Sequence, residues 1–253
     1  MCNKEIKFGL FFEKAMQLGA DYVATGHYAR LRQGLGGQAR LLEAADKNKD
    51  QSYFLSFIKP EVLNRVLFPI GEYTKPQVRE LARKFGLPNA GRKDSQGICF
   101  IGEVDVVDFL KQYLPVKPGK IIDAEGTVLG THEGAQYYTI GQRKGIGLGG
   151  GPYYVVQKDV GRNVLVVSKD EERLYRKELM LQDMNWLSKD AEANSVSVDA
   201  RIRYRQQLAP ATLSKTGENI YTLTFQNPQR AITPGQVAAL YQGEEMIGGG
   251  VIV

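Results

Sequence analysis

The 253-residue sequence predicts an α/β layer at its N-terminal end and β structure through the remainder. Three observations carry this. The first third alternates helical apolar spacing with a short apolar strand. The pattern changes near Pro115. From there to Val253 almost no helical periodicity survives, and short β runs recur between turn residues at regular intervals. The expected organisation is an α/β region with an incomplete parallel sheet over 1–115, a small β-rich central domain over 116–175, and a C-terminal β-barrel over 176–253. The charged stretch Lys169-Asp170-Glu171-Glu172-Arg173 marks the second boundary.

The elements follow in order. Residues 3–18 place Ile6, Leu10, Phe11, Ala15 and Leu18 at helical spacing, and Gly19 closes that helix. Asp21 to Gly26 is a short apolar run ending in glycine, the pattern of a buried parallel strand. Thr74 caps a helix that opens with Lys75-Pro76, turns Val78, Leu81, Ala82 and Phe85 inward, and stops at Gly86. Glu103 to Tyr113 reads as another helix, with Val106, Val107, Phe109 and Leu110 inward. Lys120 to Leu129 reads as two β runs around an Asp-x-x-Gly turn. Strands are expected at Tyr153–Gln157, Asn163–Ser168, Ser195–Tyr204, Ile220–Phe225, Gln236–Tyr241 and Met246–Val253.

Composition narrows the function classes. Hydrophobic residues are 43% and charged residues 24%, which fits a globular chain and excludes disordered and collagen-like classes. No apolar stretch approaches the roughly 18 residues of a membrane span, and no signal-peptide pattern opens the chain. A net charge of +5 leans mildly toward polyanionic partners, RNA among them, although many basic enzymes never touch nucleic acid. Two cysteines and two histidines cannot build a zinc site, so no metal site is expected. A reducing cytoplasm is the expected compartment.

Several motifs bear on chemistry, each with a plainer alternative. Gly145 to Gly150 matches GxGxxG, but a strand follows it where a dinucleotide site needs a helix, so a mobile loop is expected. Cys99 lies on the run Asp94 to Phe100, behind Arg92-Lys93. It is either a thiolate stabilised by cations or a buried thiol beside Ile98 and Phe100. Cys2 opens a helix, where the dipole favours thiolate, or is an incidental terminal cysteine. In Asn48-Lys49-Asp50-Gln51-Ser52-Tyr53, Asp50 is either a helix cap, or Lys49 meets a phosphate while Gln51 reads a base edge. In Arg201-Ile202-Arg203-Tyr204-Arg205 strand alternation puts three arginines on one face, toward solvent or toward phosphates. Tyr204 is then a stacking surface or part of the core.

Taken in order, these strings resemble the bacterial tRNA-specific 2-thiouridylase family. They are Cys2-Asn3-Lys4-Glu5-Ile6-Lys7-Phe8, Ala24-Thr25-Gly26-His27-Tyr28, Lys49-Asp50-Gln51-Ser52-Tyr53, Asp94 to Gly102, Tyr138 to Arg143, Arg203-Tyr204-Arg205-Gln206 and Thr233-Pro234-Gly235-Gln236. They span essentially the whole chain, and the ordered set is far more specific than any one string. The resemblance implies an adenine-nucleotide hydrolase-like α/β domain, a small central domain and a C-terminal β-barrel.

It also implies a reaction: ATP- and Mg²⁺-dependent replacement of the C2 oxygen of the wobble uridine by sulfur in tRNAs for Lys, Glu and Gln. A uracil C2 carbonyl is a poor electrophile, and adenylation turns its oxygen into a leaving group. By motif, Cys99 matches the sulfur carrier, loaded as a persulfide from a sulfur-relay donor protein or a cysteine desulfurase. Cys2 matches the partner thiol. Sulfide release through a Cys2–Cys99 disulfide and direct transfer from Cys99 both stay open. Gly26 carries over to the ATP site; His27, Lys49, Asp50, Gln51, Arg203, Tyr204 and Gln236 carry over to tRNA. One departure matters. The family's Ser-Gly-Gly-x-Asp-Ser pyrophosphate loop does not occur here, so the expectation is an N-terminally truncated chain that is inactive by itself. The competing readings are an RNA-binding fragment without catalysis, and a related ATP pyrophosphatase acting on another substrate.

Overall fold

A computed structural model describes residues 2–91, 102, 105–188 and 194–253. The chain forms two compact units. One comprises residues 1–91, 177–227 and 234–253; the other comprises 92–176 and 228–233.

In the first unit, β1 (Val23–Ala24) pairs in parallel with β4 (Val66–Leu67), the parallel sheet expected of an α/β layer. Between them lies a hairpin that sequence reasoning missed, β2 (Ala29–Gln33) and β3 (Ala39–Glu43), paired from Ala29↔Glu43 to Gln33↔Ala39. The helical stretch comes in two pieces, Asn3–Leu10 wound as a π-helix and Phe11–Gln17 as an α-helix. The expected inward face is corrected. Leu10, Phe11 and Leu18 are exposed, whereas Phe8 is buried and Phe12 packs on the same core. Phe8 and Phe12 are four apart, so they share one stripe, and that aromatic stripe takes the core side. Around Lys75–Lys84 the cap is as read, with the Thr74 N–H donating to Gln77 Oε1 at 2.8 Å, but Phe85 is exposed rather than inward.

The second unit holds β5 (Gly119–Ile122), β6 (Val128–His132), β7 (Tyr154–Asp159) and β8 (Val164–Ser168) in the order β6-β5-β8-β7. Ile121, Ala135, Ile146, Val155, Leu165 and Val167 form its core. The Asp-x-x-Gly turn is present: the Asp123 carboxylate accepts from the Glu125 and Thr127 N–H groups, and Gly126 takes a positive φ. The glycine loop 145–150 leads into β7, as expected, and not into a helix. Within it Ile146 is buried, and Leu148 packs beside it. The helix read at Glu103–Tyr113 is Val106–Lys111, capped by Asp105, with Val106 exposed.

The remaining strands are β9 (Tyr175–Trp186), β10 (Ser195–Arg201), β11 (Ala209–Gly217), β12 (Ile220–Arg230), β13 (Val237–Gln242) and β14 (Glu245–Ile252). They close a six-stranded barrel in the order β13-β10-β11-β12-β9-β14, sealed by β13–β14 pairing. The sequence reading contains neither β9 nor β11; the one is charged on its exposed face and the other carries Pro210 and mostly small residues. The β2–β3 hairpin joins the barrel edge through Leu42↔Glu245. Gly249 lets Ser56 approach β14, since an added Cβ would stand 2.9 Å from the Ser56 Cβ. Among the described residues no helix is long and apolar enough to cross a membrane.

Candidate functional site

The site begins with a buried ion network. Arg201, the last residue of β10, is 4% exposed. Its guanidinium bonds the Asp50 carboxylate at 3.1 Å and the Glu43 carboxylate. It also lies 4.9 Å from the Tyr241 ring centroid. Asp50 is 2% exposed and saturated: one oxygen accepts from Ala44 N–H at 2.8 Å, the other from the Ser52 hydroxyl at 2.7 Å. The Ser52 hydroxyl meets the Tyr241 hydroxyl at 3.0 Å. Burial pushes the Asp50 carboxyl above the ordinary carboxylate range, outweighing those hydrogen bonds and the Arg201 charge. Burial likewise raises the Tyr241 phenol. Such a pair holds only when its lone pairs are this well satisfied.

The expectation of three arginines on one strand face is therefore corrected. β10 ends at Arg201, and a turn follows. Arg205 sits at φ 64, and Gln206 closes the turn by accepting from Ile202 N–H at 3.1 Å. Arg201 points into the protein, while Arg205 is exposed.

This turn stands against residues 51–54. The Tyr53 hydroxyl donates to the Val237 carbonyl at 3.1 Å and reaches the Ile202 carbonyl at 3.5 Å. Burial raises its phenol. Phe54 meets Tyr204 with ring centroids 4.5 Å apart, and the Arg205 guanidinium lies 5.5 Å from the Tyr204 centroid. The Asn3 side-chain amide donates to the Phe54 carbonyl at 3.1 Å, which brings half-buried Cys2 to the same place. Gln51 is tied down on both sides: its N–H donates to the Tyr28 carbonyl at 2.7 Å and its Oε1 accepts from Tyr28 N–H at 3.0 Å. Lys49 and Arg205 line one cleft of about 620 Å³, together with Lys47, Asn48 and Gln206–Leu208. Lys47 has a raised pKa; burial opposes this, but hydrogen bonds to Glu244 and Glu43 outweigh it.

The remaining sequence-predicted residues divide. His27 is buried between Phe8 and Phe68, with its Nδ1 2.8 Å from the Thr25 hydroxyl. Burial, with help from the Lys7 charge, pulls its imidazole down to about 4, so it is neutral near pH 7. Gly26 is exposed just past the carboxyl end of β1, with nothing within 4 Å of an added Cβ. Gln236 precedes the Val237 that Tyr53 holds. Cys99, with Arg92 and Lys93, lies outside the described residues.

Comparisons with known proteins match three family models along the chain. Residues 1–103 match the tRNA methyl transferase HUP domain, 107–169 the tRNA methyl transferase PRC-barrel domain, and 176–252 the aminomethyltransferase beta-barrel domain. The tRNA-specific 2-thiouridylase MnmA of Lysinibacillus sphaericus (strain C3-41) is 48% identical over 256 residues, covering 100% of this chain and 68% of that protein. The protein of the same name from Pseudomonas fluorescens (strain SBW25) is 48% identical over 260 residues, covering 100% of this chain and 69% of that one. The chain belongs to the tRNA-specific 2-thiouridylase family.

Within this 2-thiouridylase-family chain the fold brings Cys2, Lys49, Gln51, Tyr204 and Gln236 to one region of the first unit. Sequence reasoning missed Asn3, Glu43, Phe54 and Tyr241. Phe54 carries a readable signal, an aromatic beside Tyr53 directly after the Lys49-Asp50-Gln51 string. Glu43 and Tyr241 carry none, because their role depends on Arg201 ending its strand.

Proposed function

We propose that this chain serves the 2-thiolation of the wobble uridine of tRNA, acting on tRNAs for Lys, Glu and Gln. The observation that carries this is the convergence just described: a cationic cleft, an aromatic pair and a cysteine in one region of the first unit. RNA is recognised at unpaired bases by stacking and edge contacts, with cations for the phosphates. Lys49, Arg203 and Arg205 take the phosphate role, and Tyr204 stacks. Gln236 reads a base edge, and Gln51, whose Oε1 Tyr28 N–H already holds, does so through its side-chain amide N–H. Asp50 acts from within, since its buried carboxylate fixes the residues on either side of it. His27, neutral and buried, supports Tyr28 and thereby Gln51.

Sulfur comes by a persulfide on Cys99, loaded by a donor protein or cysteine desulfurase in a reducing cytoplasm. The Cys2 thiolate attacks the Cys99 Sγ, which forms the Cys2–Cys99 disulfide. This releases the outer sulfur either as sulfide or after that sulfur has bonded to C2. ATP with Mg²⁺, when bound, supplies the activation that makes the C2 oxygen a leaving group. Gly26 fits a nucleotide approaching the carboxyl end of a parallel strand, where such ligands bind.

A second reading rests on one observation: no Ser-Gly-Gly-x-Asp-Ser string occurs in these residues. On that reading the 253 residues bind tRNA without turning it over. Mixing the chain with tRNA, ATP, Mg²⁺ and a persulfide source separates the two. Salt-sensitive tRNA binding and a persulfide on Cys99 are expected in either case, and 2-thiouridine only if the absent string is dispensable. Failure to bind tRNA would contradict both.

A further inference from the structure

We propose that Phe54 and Tyr204 together form a stacking platform for an unpaired base of the anticodon loop, a role for Phe54 that no motif assigns. The proposal rests on the tRNA reading above. Phe54 is 43% exposed, yet it is not a loose surface ring. Its short helix is anchored by Ser52 and Leu55, both buried. Tyr53 crosses it at 77° with centroids 5.5 Å apart, and Asn3 holds its carbonyl. Tyr204 adjoins at 4.5 Å, tilted by 42°. The two rings thus offer fixed π surface to solvent, with a guanidinium beside them and a cationic cleft lined by Lys49 and Arg205 next to them. Aromatic faces flanked by cations fit bases flanked by phosphates. An apolar protein partner would not call for the cations. Asn3, the chain neighbour of Cys2, donates to the Phe54 carbonyl, so a base held here lies in the same region as that cysteine.

The test measures binding of an unmodified lysine tRNA to the full chain, unaltered and with Phe54→Leu, Phe54→Tyr or Phe54→Trp. Phe54→Leu is expected to weaken binding by about tenfold, within the roughly 5- to 150-fold that one stacked base is worth. The dependence on salt should not change, because no phosphate contact is lost. Phe54→Tyr and Phe54→Trp should restore affinity. A 2-aminopurine beside the wobble uridine should lose fluorescence on the unaltered chain and keep it on Phe54→Leu. Equal affinity of the unaltered and Phe54→Leu chains would overturn the platform alone. So would a Phe54→Leu chain that binds tRNA normally but accepts persulfide poorly, which would assign the ring to the donor protein. Absence of tRNA binding by the unaltered chain would overturn the platform and the proposed function together.

Discussion

Arg201 and Asp50 are 151 positions apart and form a buried ion pair of 3.1 Å inside one unit. The pair joins the end of a barrel strand to the Lys49-Asp50-Gln51 string. Glu43, the last residue of β3, shares the same guanidinium. One cation therefore fixes the relation between the N-terminal segment and the barrel, and with it the cleft.

Removing that cation leaves the buried Asp50 carboxylate without its cation and Glu43 with Lys47 alone. Arg201→Met is expected to lower unfolding stability by about 3–5 kcal/mol, the range for breaking one side of a buried pair. Urea denaturation measures this. A loss below about 1 kcal/mol, the scale of an exposed ion pair, would show the network to be dispensable.

His27 makes stability depend on pH. Its folded pKa of about 4 lies below the ordinary 6.5, so the unfolded chain binds the proton more readily. Stability from this group is complete above about 6.5 and falls as pH drops toward 4. Between pH 7 and 5 the loss is about 2 kcal/mol. His27→Gln should remove that part of the slope, as read from urea midpoints at several pH values.

Tyr53→Phe deletes the hydroxyl that the Val237 carbonyl accepts. A loss of about 0.5–1.5 kcal/mol in stability is expected, with weaker tRNA binding, because residues 202–204 and 236 lose their tie to residue 53. Unchanged binding would detach Gln236 from the interface.

Cys99→Ser in a family member that forms 2-thiouridine should abolish thiolation and leave tRNA affinity nearly unchanged, and Cys2→Ser should block turnover after persulfide loading. Mass spectrometry of the protein and nucleoside analysis of the tRNA read both. Thiolation retained in Cys99→Ser would remove that residue from its role.

Local grammar was legible in the sequence wherever one turn or cap decides it. Thr74 with Gln77 and Asp123 with Gly126 are of this kind, since their partners lie within four residues. Helix orientation was not: Ile6, Leu10 and Leu18 fit a helical stripe as well as Phe8 and Phe12 do, and only the position of His27 and Phe68 chooses between them. The arginine alternation at 201–205 misled for the same reason. Alternation holds only while the strand continues, and where it stops is decided by Glu43 and Asp50 far along the chain. The motif residues were found by resemblance; their convergence required the fold.

The most direct measurement is the slope of tRNA affinity against salt for the unaltered chain and for Lys49→Ala/Arg203→Ala. Each lost phosphate contact lowers the slope by about one, so a drop of about two is predicted, with affinity falling about equally across tRNA sequences. An identical slope in the two proteins would place the phosphate contacts elsewhere and contradict the interface described.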